Sequence, residues 1–502
     1  MQVKGFVRNA AILTVTALVL RSLGMVFRIY LSGRLGEQGM GLYQLIVSVY
    51  ALLSTFATSG ICTAVTRLCA EQCAVGRQKA AVTVLRVAVA LSVAAGLLSA
   101  AVAFFGAPLI ARWFLGDMRA VASLRALAAS LPFMGVSSCL RGYYTAKRQV
   151  ALPGRTQIVE QVVRLGAVFL ALPQLLPHGT AVACAGVFAA DTLAEAVGCL
   201  LLLWPLRRAA KGERQGGVLR SIGGIALPIT GGRYLHTALR TCENLLVPAC
   251  LARCGGGRAA ALAAFGSLKG MALPLLFFPS SFLTAVSTLL LPEVSAAAAT
   301  GEHRQVRRTA ERTLQWTLLG SVGLAAVFFA ASDALGLALY GSRQVGFYLR
   351  VLAPLLPVMY LEGIVDGMLK GLGQQVATLR YSVADSALRI VAIVLVVPRW
   401  GMRGFLLIML ASNLLTSGLN VCRLIKVTGA DCRIGRWVAA PTLAAAAAVT
   451  AAMPLTRLLV SQPLWQAVCV GITVAAVYLL LICLAGCTEG VTKEKRSGNA
   501  AA

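Results

Sequence analysis

Residues 138–166 read SCLRGYYTAKRQVALPGRTQIVEQVVRLG, and residues 367–391 read GMLKGLGQQVATLRYSVADSALRIV. Each stretch has a basic residue before a glycine, a short polar connection, and an acid followed one helical turn later by an arginine. The later acid and arginine lie 225 residues after the earlier ones, and the basic residue lies 229 after, so four residues fewer in the second connection reconcile the copies. Half-length repeats with charges inside apolar segments are typical of transporters built from two related bundles. The matched residues are Arg141 and Lys370, Gly142 and Gly371, Glu160 and Asp385, and Arg164 and Arg389.

Composition places this repeat in a membrane. The 502 residues are 58% apolar and 13% charged, with a mean hydropathy of +0.79, whereas soluble domains are about 25% charged. Apolar runs of about 20 residues recur, and each could cross a hydrocarbon core about 30 Å thick. The first run, 10–30, contains arginines and does not end at a small-residue cleavage site, which argues against a cleaved signal. The sequence predicts an all-α polytopic membrane protein.

We predict about 14 transmembrane helices, arranged as two pseudo-repeated six-helix bundles plus two C-terminal helices. The predicted helices are 6–32, 42–63, 87–110, 121–140, 156–176, 181–204, 221–250, 259–291, 313–340, 347–369, 376–397, 402–422, 437–457 and 464–486. The predicted domains are an N-terminal lobe (1–206), a basic cytoplasmic linker (207–220), a C-terminal lobe (221–425), two extra helices (426–487) and a cytoplasmic tail (488–502).

The formal charge of +28 is explained by topology. With the N-terminus inside, about 28 basic residues fall in cytoplasmic segments and about 11 on the other side, as the positive-inside rule requires. Basic loops that face anionic lipid account for the charge without a nucleic-acid partner. This bias predicts that both termini are cytoplasmic.

Enzyme chemistry has little support in this sequence. The 14 cysteines have no metal or redox spacing, because their close pairs are four residues apart rather than three. The connections are too short to hold a soluble catalytic domain. We therefore expect no catalytic residue, metal or cofactor.

Two acid–arginine pairs are spaced for ion pairing within a helix. Glu160 with Arg164, and Asp385 with Arg389, each have the acid four residues before the base, the favourable order. Equivalent positions in both halves favour a structural role, with gating or substrate contact as the alternative. Asp191 and Glu195 have the same spacing but like charge, so they require nearby cations or a proton on one carboxyl.

Two arginine pairs favour a different role. Arg21 and Arg28 in the first helix are seven residues apart, as are Arg233 and Arg240 in the seventh. Guanidinium groups bind phosphate with two hydrogen bonds and keep their charge. We expect these pairs to face each other across a cavity that binds a pyrophosphate headgroup, with Lys269 as a further cation. The alternative is that they reach the membrane interface.

Three acids are candidates for coupling to Na⁺ or H⁺. Glu243 lies three residues after Arg240, so a local salt bridge is the simplest interpretation. Glu362 and Asp366 lie one turn apart in the tenth predicted helix.

Several segments resemble one known family, the stage V sporulation protein B group of polysaccharide-type flippases. This group belongs to the multidrug/oligosaccharidyl-lipid/polysaccharide exporter superfamily and is related to the lipid II flippases. The resemblance covers roughly residues 1–425. The segments are Arg21-Ser-Leu-Gly24 with Arg28, Gly36-Glu-Gln-Gly-Met-Gly-Leu-Tyr43, Arg141-Gly-Tyr-Tyr144, Gln157-Ile-Val-Glu-Gln-Val-Val-Arg164 and Leu273-Pro-Leu-Leu-Phe-Phe-Pro-Ser280.

The resemblance implies a two-lobed, 14-helix, monomeric transporter in the bacterial plasma membrane. It would turn over a lipid-linked oligosaccharide or lipid II-like precursor for spore cortex or cell wall. Arginines of the first helix and basic residues of the eighth line the cavity in lipid II flippases, which implicates Arg21, Arg28 and Lys269. A cation-coupled multidrug antiporter of the same fold would need cavity acids, and the first helix has none. A non-transporting scaffold of a wall-synthesis complex is the third possibility.

Overall fold

The computed structural model describes residues 2–208, 217–280, 294, 297–298, 300–431, 435–459 and 462–485. Within these ranges the chain is helical and contains no β-strand, as the apolar runs predict. Most of the predicted linker (209–216) and the predicted tail (488–502) lie outside the described residues.

The helices follow one another with short connections. We number the longer ones α1 (Gln2–Ala74), α2 (Gln78–Phe105), α3 (Ala120–Ala128), α4 (Ser130–Ala146), α5 (Ala151–Leu175), α6 (Thr180–Leu203), α7 (Val218–Leu251), α8 (Gly257–Phe265), α9 (Leu273–Phe277), α10 (His303–Ala330), α11 (Ser332–Tyr340), α12 (Arg343–Leu352), α13 (Leu356–Gly371), α14 (Gln375–Thr428), α15 (Ala440–Leu459) and α16 (Pro463–Leu484).

Many of these helices are suited to a membrane. Nine described helical segments are long and apolar enough to cross a bilayer, or ten if α3 and α4, which meet at 41°, form one span. Three of them contain 54 to 61 residues, more than twice the roughly 20 residues that one crossing needs. The number of 14 crossings stays a prediction.

Glycines explain two helix breaks that the sequence map represents as loops. The first two predicted helices are limbs of one long α1, which bends at Gly36 (φ 68°, ψ −178°). The eleventh and twelfth are likewise limbs of α14, which bends at Gly401 (φ 57°, ψ −139°). A positive φ is strained for residues with a side chain, so glycine permits both breaks.

Beyond the first break, α1 packs tightly on the chain around α8. A Cβ atom added at Gly41 would overlap the backbone carbonyl of Leu262, and one added at Gly266 would overlap the carbonyl of Glu37. The motif Gly36–Tyr43 therefore serves close helix packing in addition to the bend.

Substituting Gly41 tests this packing. We expect Gly41→Ala to destabilise the protein by about 1–3 kcal/mol, because a backbone carbonyl cannot move aside as a flexible side chain would. Gly33→Ala is the matched control, since a Cβ there meets nothing within 4 Å and alanine favours a helix by about 0.5–1 kcal/mol. Thermal unfolding of the purified variants measures both effects; equal melting temperatures would contradict the packing.

The described chain forms two compact units, unit 1 (Met1–Gly266) and unit 2 (Ser267–Ala502). The core of unit 1 joins α1, α2, α4, α6 and α7 through buried side chains that include Val65, Leu85, Tyr143 and Ile222. The hydroxyl of Tyr144 donates to the carbonyl of Leu202 at 3.0 Å, which ties α4 to α6.

Unit 2 has two cores of its own. One joins α10, α13 and the second limb of α14 around Leu314, Leu369 and Leu424. The other joins α10, α15 and α16, where the Tyr478 hydroxyl donates to the carbonyl of Leu319 at 2.7 Å.

The unit boundary falls after Gly266 rather than in the predicted linker 207–220. The reason is that α7 packs along the second limb of α1. Thr241 Oγ1 donates to the carbonyl of Ser48, and Asn244 Nδ2 donates to its Oγ, both at 3.0 Å. The lobes 1–206 and 221–425 and the extra helices 426–487 remain a prediction from the repeat.

Candidate functional site

A cluster of five charged side chains lies inside unit 1, and we call it the acid cluster. It joins three helices: Arg141 from α4, Glu160 and Arg164 from α5, and Asp191 and Glu195 from α6. Arg141 Nη2 lies 2.6 Å from Glu160 Oε2, and Arg164 Nη2 lies 3.4 Å from Glu160 Oε1. Glu160 is therefore held by the arginine of its own helix and by that of the preceding one.

Arg164 also contacts both acids of α6. Its Nε lies 2.5 Å from Asp191 Oδ1, and its Nη2 lies 3.7 Å from Glu195 Oε1. Glycine at position 198 lets α6 approach α5, because a Cβ there would lie 2.8 Å from Glu160 Oε2. The cations that Asp191 and Glu195 require are thus supplied by neighbouring helices.

The second copy of the repeat is wired differently. Lys370 pairs with Asp366 in its own helix, with Nζ 2.6 Å from Oδ2. The residue four positions before Arg141 is Ser137, so α4 offers no acid and Arg141 instead reaches Glu160. An acid present in one copy and missing from the other decides the partner of the basic residue.

Asp385 and Arg389 form a self-contained pair in α14. Arg389 Nη2 lies 2.7 Å from Asp385 Oδ2. Ser412, on the second limb of α14, accepts from Arg389 Nε at 2.9 Å and donates to Asp385 Oδ1 at 2.5 Å. The structure thus contains both intrahelical pairs for which the spacing is suited, while their roles remain predictions.

The predicted anion-binding arginines of α1 lie in its first limb. Arg28 is half-buried, near enough to the phenol of Tyr43 to interact electrostatically, and Arg21 is exposed. None of the described ion pairs includes Arg28.

Arg233 and Arg240 are exposed on α7, beside the face that packs on α1. That face is marked by hydrogen bonds of Thr230 to Gly60 and of Thr237 to Thr55, at 3.1 and 3.4 Å. Neither arginine takes part in a described ion pair. Arg28 and the two α7 arginines belong to the same unit, and the cavity that they were expected to share stays a prediction.

Lys269 lies in the π-helical segment Gly266–Ala272, within unit 2. It is half-buried, and its Nζ lies 5.7 Å from the ring centroid of Phe405, in cation–π geometry. Its proposed phosphate contact stays a prediction.

The three candidates for ion coupling have different surroundings. Glu243 is buried, and no described ion pair joins it to the exposed Arg240 as the spacing suggested. Asp366 is held by Lys370, and Glu362 is half-buried one turn earlier on α13.

Comparison with known proteins identifies the kind of protein in which these sites lie. The family described as polysaccharide biosynthesis protein matches residues 6–295, more than half of the chain. The chain belongs to this family. The MatE family matches residues 237–395.

The relatives of this polysaccharide biosynthesis family member are transporters and a sporulation protein. Stage V sporulation protein B of Bacillus subtilis (strain 168) is 26% identical over 434 residues, covering 84% of each chain. The lipid II flippase MurJ in an inward closed conformation has a TM-score of 0.70 at 12% identity, covering 94% of this chain and 98% of that one. An inward-facing MATE family transporter has a TM-score of 0.64 at 15% identity, covering 83% and 96%.

These matches confirm the resemblance predicted from the motifs, and the fold of the family member is that of the MurJ and MATE transporters. The family member is a multi-pass membrane protein. The acid cluster as a unit was not predicted, although its residues were noted in separate pairs. The available signal was the missing acid at Ser137, which leaves Arg141 to seek a partner elsewhere.

Proposed function

We propose that this protein is a flippase that moves a lipid-linked saccharide with a pyrophosphate headgroup across the bacterial plasma membrane by alternating access. The observation that supports it most directly is the set of Arg28, Arg233 and Arg240, whose guanidinium groups lie in apolar helices without a described carboxylate partner. A charge in such a helix must face protein or water. Guanidinium groups without an internal partner are suited to a phosphate ligand.

The family and its relatives favour the same class of substrate. Polysaccharide biosynthesis requires lipid-linked sugars on the outer face, and no bond has to form or break during their transfer. The protein supplies a polar path that removes the cost of moving the headgroup through hydrocarbon. The proposal includes cytoplasmic termini, a monomer, contact with membrane lipids, no catalytic residue, and coupling to Na⁺ or H⁺.

A multidrug antiporter is the second candidate because the MatE match covers residues 237–395. Such a protein needs carboxylates available to cationic drugs. Asp366 and Asp385 instead have cationic partners within their own helices. The substrate class is therefore better supported as anionic.

Turnover by the purified protein tests the proposal. We expect proteoliposomes containing the full chain to move a fluorescent undecaprenyl-pyrophosphate saccharide between leaflets at least tenfold faster than protein-free liposomes. Quenching of the fluorophore by a membrane-impermeant reductant measures the exposed fraction. A cationic dye in the same vesicles tests the antiporter.

Three results are informative. Transfer of the lipid-linked saccharide alone supports the flippase, and transfer of the dye alone supports the antiporter. Transfer of neither, by folded protein, would contradict the proposal and favour a scaffold of the wall-synthesis machinery.

A further inference from the structure

The acid cluster of unit 1 contains one more carboxylate than guanidinium groups. Glu160, Asp191 and Glu195 contribute three negative charges, against the two positive charges of Arg141 and Arg164. Glu160 and Glu195 are 7% and 4% exposed. A buried excess charge is unfavourable, and a carboxyl group in such a place gains stability by binding a proton.

One oxygen identifies where this proton binds. Glu195 Oε2 is fully buried and has no hydrogen-bond partner, although buried polar atoms almost always have one. The Glu160 and Glu195 side chains are within hydrogen-bonding reach of each other. Two carboxylates cannot donate to each other, so a hydrogen bond between them requires one proton.

Unit 2 shows that the repeat does not need this excess charge. Arg389 meets Ser412 through its Nε as Arg164 meets Asp191, so a hydroxyl replaces a carboxylate there. One turn further along, Thr416 stands in α14 where α6 has Glu195. The unit 2 site is balanced by Asp385 and Arg389, which means that the two extra acids of unit 1 serve something other than packing.

We propose that Glu195, with Glu160 and Asp191, forms a proton-binding site that takes up and releases one proton during transport. The proton from water binds Glu195 Oε2, and the neutral acid then donates a hydrogen bond to the Glu160 carboxylate. Release of the proton restores three carboxylates around two guanidinium groups. Proton coupling at this site rests on the proposed flippase function, whereas proton binding does not.

The surroundings favour a proton over a metal cation. Arg141 and Arg164 lie within the cluster at ion-pair distance and would repel Na⁺, while a proton joins one oxygen covalently and needs no coordination shell. The titratable and charged groups that face the cluster from neighbouring elements are Tyr43 and Tyr50 of α1, Arg28 beside Tyr43, Arg141 of α4 and Cys199 of α6.

A route to water exists at the edge of the cluster. The side chains of Arg164 and Asp191 are each 19% exposed, and Arg141 is 26% exposed. Charged side chains at membrane depth face water or protein rather than lipid. Protons can therefore reach Glu195 through Asp191.

Infrared spectroscopy of the full chain in lipid nanodiscs tests proton binding directly. We expect a pH titration of the wild type to show the carbonyl band of one buried carboxylic acid, and Glu195→Thr to lack it. Glu71→Gln is the matched control, because Glu71 is an exposed acid paired with Arg67 on α1. Asp191→Ser should also remove the band, since it balances the cluster at two charges of each sign.

Both cluster substitutions introduce residues that unit 2 carries at the corresponding positions, and size-exclusion chromatography with thermal unfolding checks that they fold. Should either variant fail to fold, Glu195→Gln keeps the shape of the side chain and replaces it in the titration. A wild-type band that persists in folded Glu195 variants, or no such band in the wild type, would overturn the site.

Transport then tests coupling. We expect an imposed pH gradient to accelerate turnover of the lipid-linked saccharide at least tenfold in the wild type and less than twofold in Glu195→Thr. An equal response in both proteins would refute coupling through Glu195. If the wild type transports nothing while the infrared band titrates, the proposed flippase function fails and the proton site stands.

Discussion

Arg28→Ala is expected to lower turnover of a lipid-linked pyrophosphate by about 10- to 100-fold, because hydrogen bonds to a charged group contribute about 1.5–3 kcal/mol each. Arg28 is half-buried and belongs to no described ion pair. Its removal therefore takes away a phosphate contact without leaving a described acid unpaired. Protein level and melting temperature should stay near those of the wild type.

Lysine separates charge from geometry at the same position. Arg28→Lys keeps the positive charge but loses the planar pair of donors, so we expect turnover between those of the wild type and the alanine variant. Arg34→Ala is the matched control, because Arg34 lies on the same limb, exposed, over the ring of Tyr30 at 5.6 Å. Only a small change in turnover is expected there.

Arg240→Ala tests the second half of the proposed anion site. A similar loss of turnover is expected, with Arg220→Ala as an exposed control near the start of the same helix. Full turnover by both Arg28→Ala and Arg240→Ala would contradict the arginine-lined cavity. Loss of turnover with an unfolded protein would instead indicate a structural role.

Arg164→Ala is expected to destabilise the folded protein by about 3–5 kcal/mol, because it leaves buried carboxylates without their cation. Arg164 is in contact with Glu160, Asp191 and Glu195, and its side chain is only 19% exposed. Unfolding of the purified variant in detergent, followed by temperature or denaturant, measures the loss. Arg67→Ala, which breaks an exposed pair on α1, should cost only about 0.2–1 kcal/mol.

A compensated variant distinguishes charge from packing. Combining Arg164→Met with Asp191→Ser and Glu195→Thr leaves Arg141 and Glu160 as one balanced pair. We expect this triple variant to be more stable than Arg164→Ala, since the effects of residues in one network are not additive. An Arg164→Ala variant as stable as the wild type, or a triple variant no more stable than the single one, would contradict the importance of the network.

Local patterns predicted the parts of the molecule that depend on neighbours along the chain. Glu160 with Arg164, and Asp385 with Arg389, are in contact because residues four apart lie on one helix face. The apolar runs correctly indicated an all-helical membrane protein, since backbone groups in lipid must be satisfied within a helix. The breaks at Gly36 and Gly401 occur inside longer helices than the runs suggested.

Other features depended on partners distant in sequence. The position of α7 against α1 is set by contacts such as that of Thr241 with Ser48, 193 residues apart. No periodicity along either helix encodes that register. The unit boundary after Gly266 therefore departs from the basic linker that composition marks.

The repeat at 138–166 and 367–391 shows where the two sources of information divide. Its sequence alone determined two related helical segments, each with an acid and an arginine one turn apart, because that geometry is local. Only the tertiary structure decided that the first pair would join Arg141, Asp191 and Glu195 in a cluster with excess acid, while the second would remain balanced. The physical reason is that a buried charge pairs with whichever opposite charge interhelical packing brings within reach, and sequence spacing does not fix that distance.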